Sequence, residues 1–127
     1  MSRRRFLRAA IAPVLLAPIV AACRQAPLVA VSGAEFASSG SLVQRAEQIR
    51  RAGLGLGWTM QEARPGMIRG TLNLRSHQAV VDIAYDTQRF TIAYVDSTNL
   101  NHSGDMIHPN YNGWVQRLQN AIVAQSS

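Results

Sequence analysis

From residue 67 to residue 97 apolar and polar positions mostly alternate. In Met67 to Arg75, Ile68, Gly70, Leu72 and Leu74 interleave with Arg69, Thr71, Asn73 and Arg75. A period of two predicts a strand with one face buried. His77 to Asp86 repeats the pattern, with Ala79, Val81, Ile83 and Tyr85 on one face and Val80, Asp82 and Ala84 on the other. Phe90, Ile92 and Tyr94 continue it, and the stretch from Gly57 to Ala63 is a fourth candidate. Pro65-Gly66 and Asp86 to Arg89 supply the turns, and connections this short favour an antiparallel meander. Two segments switch to a helical period. Leu42, Ala46 and Ile49 share a face behind Ser41, whose Gln44 three residues on completes a capping-box pattern, and Gly53 is the expected left-handed cap. Tyr111, Val115, Leu118 and Ile122 form a second stripe, with Trp114 beside it and Asn110 or Asn112 as the cap.

A sheet with one apolar face needs a cover, and two amphipathic helices provide it. The expected architecture is α+β, a two-layer helix–antiparallel meander–helix of three to four strands in residues 41–127. In so small a domain Trp58 and Trp114 read as packing anchors. Gly53 to Gly57 lacks the G-x-G-x-x-G spacing and follows a helix, so it is not read as a phosphate loop.

Composition changes the picture at the amino-terminal end. All thirteen basic residues are arginines, and Arg3, Arg4, Arg5 and Arg8 precede a 14-residue apolar run, Ala9 to Ala22, which contains Pro13 and Pro18. Crossing a bilayer takes about 20 apolar residues, so the layout fits a secretory signal peptide over residues 1–22 better than a permanent span. Cys23, the single cysteine of the chain, ends the run.

The sequence Val20-Ala21-Ala22-Cys23 resembles a bacterial lipobox: an aliphatic residue, two small ones and the cysteine of that motif. The resemblance implies diacylglycerol on the Cys23 sulfur and cleavage between Ala22 and Cys23. A lone cysteine in an exported chain then needs no partner thiol, and two or more acyl chains hold where one gives marginal binding. In lipoproteins of this type an aspartate after the cysteine favours retention at the inner membrane. Arg24 instead points to the periplasmic face of the outer membrane. Ser2 to Arg8 also resembles the twin-arginine export motif through Arg3, Arg4, Phe6 and Leu7, with Arg8 where lysine is usual. A chain without lysine builds any basic segment from arginine, so general secretion stays open.

Residues 24–40 are rich in Ala, Ser and Gly and carry no helical or strand period. They read as a tether, with a reach of roughly 20 to 25 Å if flexible, unless Pro27 to Val31 pack on the domain. From Cys23 onward nine arginines face seven acids, net +2, and they are scattered. Nucleic-acid binding needs a basic stripe that tracks phosphates, and none is present.

Candidate chemistry gathers in the loop after the last strand, residues 96–110. His77, Asp96, Asn99, His102 and His108 are the candidate ligand surface, with His77 expected near Asp96. Two histidines six residues apart in a loop are poor zinc spacing, and no G-x-S-x-G elbow or serine with an identifiable base supports a hydrolase. A polar loop that satisfies its own backbone explains most of these residues.

The stretches from Leu72 to Asp86, Tyr94 to Leu100 and Ile107 to Ile122 resemble a family of small bacterial lipoproteins of unknown function. The likeness covers about Ile49 to Ile122 and implies one fold behind a lipid anchor, with no assigned activity. The expectation is a non-enzymatic binding or structural module with no cofactor beyond the lipid on Cys23. Its partners would be the membrane and an envelope protein or cell-wall component. The alternative is a metal-binding or hydrolytic periplasmic protein using residues 96–110.

Overall fold

A computed structural model describes residues 25–127. Arg3, Arg4, Ala22 and Cys23 lie outside the described residues. The elements run β1 (Ala26–Pro27), β2 (Val31–Glu35), α1 (Leu42–Gly55), β3 (Trp58–Arg64), β4 (Met67–Leu74), β5 (His77–Tyr85), β6 (Arg89–Thr98), β7 (Met106–Ile107) and α2 (Pro109–Gln125). An antiparallel five-stranded sheet has the order β2-β6-β5-β4-β3, and β1 pairs with β7 in a separate two-stranded sheet. The α+β class is therefore as expected, with more strands than the three to four expected. The four strands of the meander are those that alternation marked.

Of the three additional strands, β1 and β2 come from the stretch expected to be a tether, and β7 comes from the polar loop after β6. Val31 pairs with Ile92, Ala34 with Phe90 and Glu35 with Arg89, with a register shift between Val31 and Ala34. Gly33 takes a φ of 66° inside that shift. The irregularity breaks the period that would have announced the strand. Further back, Ala26 and Pro27 pair with Ile107 and Met106, and Leu28 N–H donates to Asp105 O at 2.7 Å. Asn112 closes this clasp: its Oδ1 accepts from Val29 N–H at 3.0 Å and its Nδ2 donates to Pro27 O at 2.9 Å.

Buried side chains keep one parity along the sheet. Trp58, Leu72 and Ala79 form one cross-strand row, and Ile68, Ile83, Ile92 and Val31 form another. Both rows lie in the core with Ile49, Tyr111, Val115, Leu118 and Ile122 of the helices. α1 packs beside α2 and over β3, and α2 reaches β2. On the opposite face Arg69 and Asp82 form a two-pronged ion pair at 2.8 and 3.0 Å.

Helix α1 starts as expected, with Ser41 Oγ accepting from Gln44 N–H and Gln44 Oε1 accepting from Ser41 N–H. It does not stop at Gly53. A Cβ there would lie 2.2 Å from Met60 Cε, so this glycine lets the helix pack closely on β3. The helix continues to Gly55, Leu56 is its C-cap, and Gly57 turns the chain at a φ of 91°. Helix α2 is capped by His108, not by Asn110 or Asn112: His108 Nδ1 accepts from Asn110 N–H at 3.1 Å, with Pro109 in the first helical turn. Asn112 is occupied in the clasp.

The strand directions give the sheet two distinct ends. At the entry end lie Gln25, the α1–β3 connection, the β4–β5 turn, the 99–108 loop and the start of α2. At the far end lie residues 36–41, the β3–β4 and β5–β6 turns and the end of α2.

Candidate functional site

The five candidate residues are all at or near the entry end, but they do not converge. His77 opens β5 level with the end of β6, where Gln78 pairs with Thr98 and Val80 with Asp96. Its neighbour is consequently Asn99 and not Asp96. His77 Nδ1–H donates to Asn99 O at 2.7 Å, which fixes the tautomer with the proton on Nδ1. Asn99 takes a φ of 60° and its Nδ2 donates to Ser76 Oγ at 2.8 Å. The two groups tie the end of β6 to the β4–β5 turn.

The His108 ring lies 6.3 Å from the His77 ring, and the Trp114 ring lies 6.2 Å from it. The Nδ1 of His108 is spent on the helix cap, and the backbone N–H of His108 donates to Leu100 O at 2.7 Å. His102 stands apart from this pair, stacked on Tyr94 with centroids 4.4 Å apart and an interplanar angle of 29°. Asp96 accepts from Ser97 N–H at 2.8 Å and is exposed. Among the described residues no group of three or more His, Cys, Asp or Glu side chains is placed to hold a metal ion. The residues of the loop instead satisfy local backbone groups and pack on aromatic rings.

Beneath His102, Tyr94 donates to or accepts from Ser97 Oγ at 2.8 Å and meets the Tyr111 ring edge-on at 5.7 Å. Tyr111 is fully buried, and its hydroxyl has no hydrogen-bond partner among the described residues. Burial pushes that phenol well above its ordinary range, with the neighbouring Tyr94 adding to the effect.

At the far end, sequence reasoning missed Arg45. It is 1% exposed. Its Nε donates to Thr87 O at 3.0 Å, its Nη1 to Gln48 Oε1 at 3.0 Å and its Nη2 to Ser38 O. The guanidinium also lies 4.1 Å above the centre of the Phe36 ring. The signal was present: Arg45 sits three residues after Leu42 and four before Ile49, inside the apolar stripe of α1. An open pocket of about 460 Å³ adjoins it, with Glu35, Ser39, Gly40 and Gln88 in its wall. Ala37 N–H donates to Ser126 Oγ at 2.8 Å and Ser38 Oγ donates to Ser126 O, so the last turn of α2 is held here too. With its donors directed to protein oxygens and its plane on Phe36, Arg45 joins three segments.

Among the described residues neither end assembles a nucleophile with a base or an acid–base pair of carboxyls. No family model, no curated protein and no solved structure matches the chain.

Proposed function

We propose that the chain is a bacterial envelope lipoprotein, anchored through lipid on Cys23, whose domain acts as a non-enzymatic binding or structural module. One observation carries this reading. A basic segment and a 14-residue apolar run that ends in two alanines lead in order to the single cysteine of the sequence. Such an order serves export, cleavage and lipid attachment in turn. The dispersal of His77, Asp96, His102 and His108 over separate local contacts supports a module that binds without catalysing, in preference to the metal-binding or hydrolytic alternative in residues 96–110. Among the described residues no helix is long and apolar enough to cross a membrane, and a lipid is the means of attachment proposed here. The resemblance to small lipoproteins of unknown function belongs to the same proposal, as does an outer-membrane destination read from Arg24.

Intact mass of the protein purified from membranes is the test. The expected mass is that of the chain from Cys23 plus diacylglycerol and an N-acyl group. A chain that retains Met1, or an unmodified Cys23, refutes the anchor. Arg24→Asp should move the protein from the outer- to the inner-membrane fraction. Export by the twin-arginine route requires that Arg3→Lys combined with Arg4→Lys block maturation, and normal maturation of that variant assigns the general route.

A further inference from the structure

We infer that the entry end of the sheet is a bilayer-contact face, which sits on the lipid surface that carries the anchor. The inference rests on the proposed lipidation of Cys23 and adds an orientation to it. Its first support is where the described chain begins. Gln25 is held at this end: its Nε2 donates to Asn101 O at 2.6 Å, and Ala26 and Pro27 pair at once with β7. Two residue steps separate Cys23 from Gln25, a span of at most about 7 Å. That length cannot hold the domain clear of the headgroups, as a tether over residues 24–40 would have done. The entry end must therefore lie against the surface.

A second, independent support is the distribution of exposed apolar side chains. Among the described residues, the large hydrophobics left open to solvent are Val43 (71% exposed), Leu54 (58%), Val29 (46%), Leu74 (45%), Leu56 (39%) and Met106 (36%). Leu54 and Leu56 end α1, Leu74 ends β4, Met106 lies in β7 and Val29 lies in the entry segment beside the first turn of α2. Only Val43, at the start of α1, is at the far end. Leu56 and Leu74 rim an apolar notch of about 160 Å³ floored by Trp58, Leu72 and Trp114, with Arg117 in its wall.

A bilayer interface suits this arrangement. Short apolar side chains can enter the acyl boundary, as on an interfacial helix. Arg117, and Arg75 next to Leu74 in the turn, can place their apolar stems against lipid and their charges among anionic headgroups. At the far end Val43 is the one large apolar side chain left open, and the pocket beside Arg45 is walled by Ser39, Gly40, Thr87 and Gln88. A protein partner would need no such agreement between the apolar residues and the point of chain entry.

The test uses the full mature lipoprotein, reconstituted in vesicles of phosphatidylethanolamine and phosphatidylglycerol. Leu54→Cys, Leu74→Cys and, at the far end, Gln88→Cys each introduce one thiol for a polarity-sensitive fluorophore, Cys23 being blocked by its lipid. Labels at 54 and 74 should shift to the blue, resist an aqueous quencher and be quenched by nitroxide-bearing lipid. The label at 88 should do none of these. Equal aqueous quenching at all three sites overturns the inference, and a mass showing lipidated Cys23 in that sample leaves the anchor standing. Protection at 54 and 74 without quenching from lipid overturns it in favour of a protein partner. A free Cys23 refutes the anchor and, with it, the orientation that rests on the anchor.

Discussion

The two ends of the sheet use polar residues in opposite ways. At the far end one cation, Arg45, is buried and its donors hold the backbone of residue 38 and of the β5–β6 turn. At the entry end the polar groups are many, mostly exposed and bonded pairwise: His77 to Asn99, Asn99 to Ser76, His108 to Asn110. A cluster of histidines and asparagines in a sequence draws the eye to the entry end. The energetically expensive group lies at the other, because burying a charge costs far more than displaying one.

Breaking the far end should have the largest effect. Arg45→Ala removes three donors and strands the Ser38 and Thr87 carbonyls, so a loss of about 3 kcal/mol is expected, read as a fall in the urea midpoint. An unchanged midpoint would show that the buried cation holds nothing. Next comes the clasp at the entry end. Asn112→Ala deletes both hydrogen bonds to residues 27–29 and should cost about 1.5 kcal/mol, with faster hydrogen exchange at Val29 and Leu28 while the Val81 amide stays protected. Exchange that rises equally everywhere would make the clasp part of the global unfolding unit. His108→Ala should cost about 1 kcal/mol through loss of the cap, and His108→Asp should retain most of it. A His108→Asp variant as weak as His108→Ala would transfer the role of His108 from capping to packing.

The smallest effect separates both ends from the open face of the sheet. A hydrogen bond from Arg69 holds the Asp82 carboxyl below its ordinary value of 3.8, and the amides of Arg89 and Gln88 do the same for Asp86. A carboxyl whose value falls on folding contributes stability that is present above about pH 4 and is lost as the pH drops through the lower folded value. Asp82→Asn should therefore cost a few tenths of a kcal/mol at neutral pH, as exposed pairs do, and flatten the acid side of the stability profile. A profile that keeps its slope below pH 4 would assign that slope to other carboxyls.

The elements legible in the sequence were those with local causes. The capping box of Ser41 and Gln44, the alternation in β4 and β5, and the stripe from Tyr111 to Ile122 each follow from nearby residues. What escaped was set by distant ones. Strand β2 exists because Val31 and Ala34 meet Ile92 and Phe90 in β6, and its bulge at Gly33 hides the period. Gly53 looked like a helix stop because nothing in α1 tells of Met60 across the gap. His108 was passed over as a cap because Asn110 and Asn112 are better intrinsic cappers, yet Asn112 is drawn away to the entry segment. Of the candidate site, the loop was found and its internal wiring was not: His77 was placed near Asp96, three residues short of Asn99, its true partner.

Strand β2 also decides how the molecule answers to force. Its chain arrives from the entry end and β2 runs toward the far end along β6, with hydrogen bonds lying across the direction of pull. Once the clasp of residues 26–29 has opened, tension between the amino-terminal side and anything gripped at the far end would load that seam in shear, so its bonds would have to yield together rather than one after another. The bulge between Val31 and Ala34 is the weak stitch in the seam, and the β3 to β6 meander behind it would bear load only after β2 has slipped.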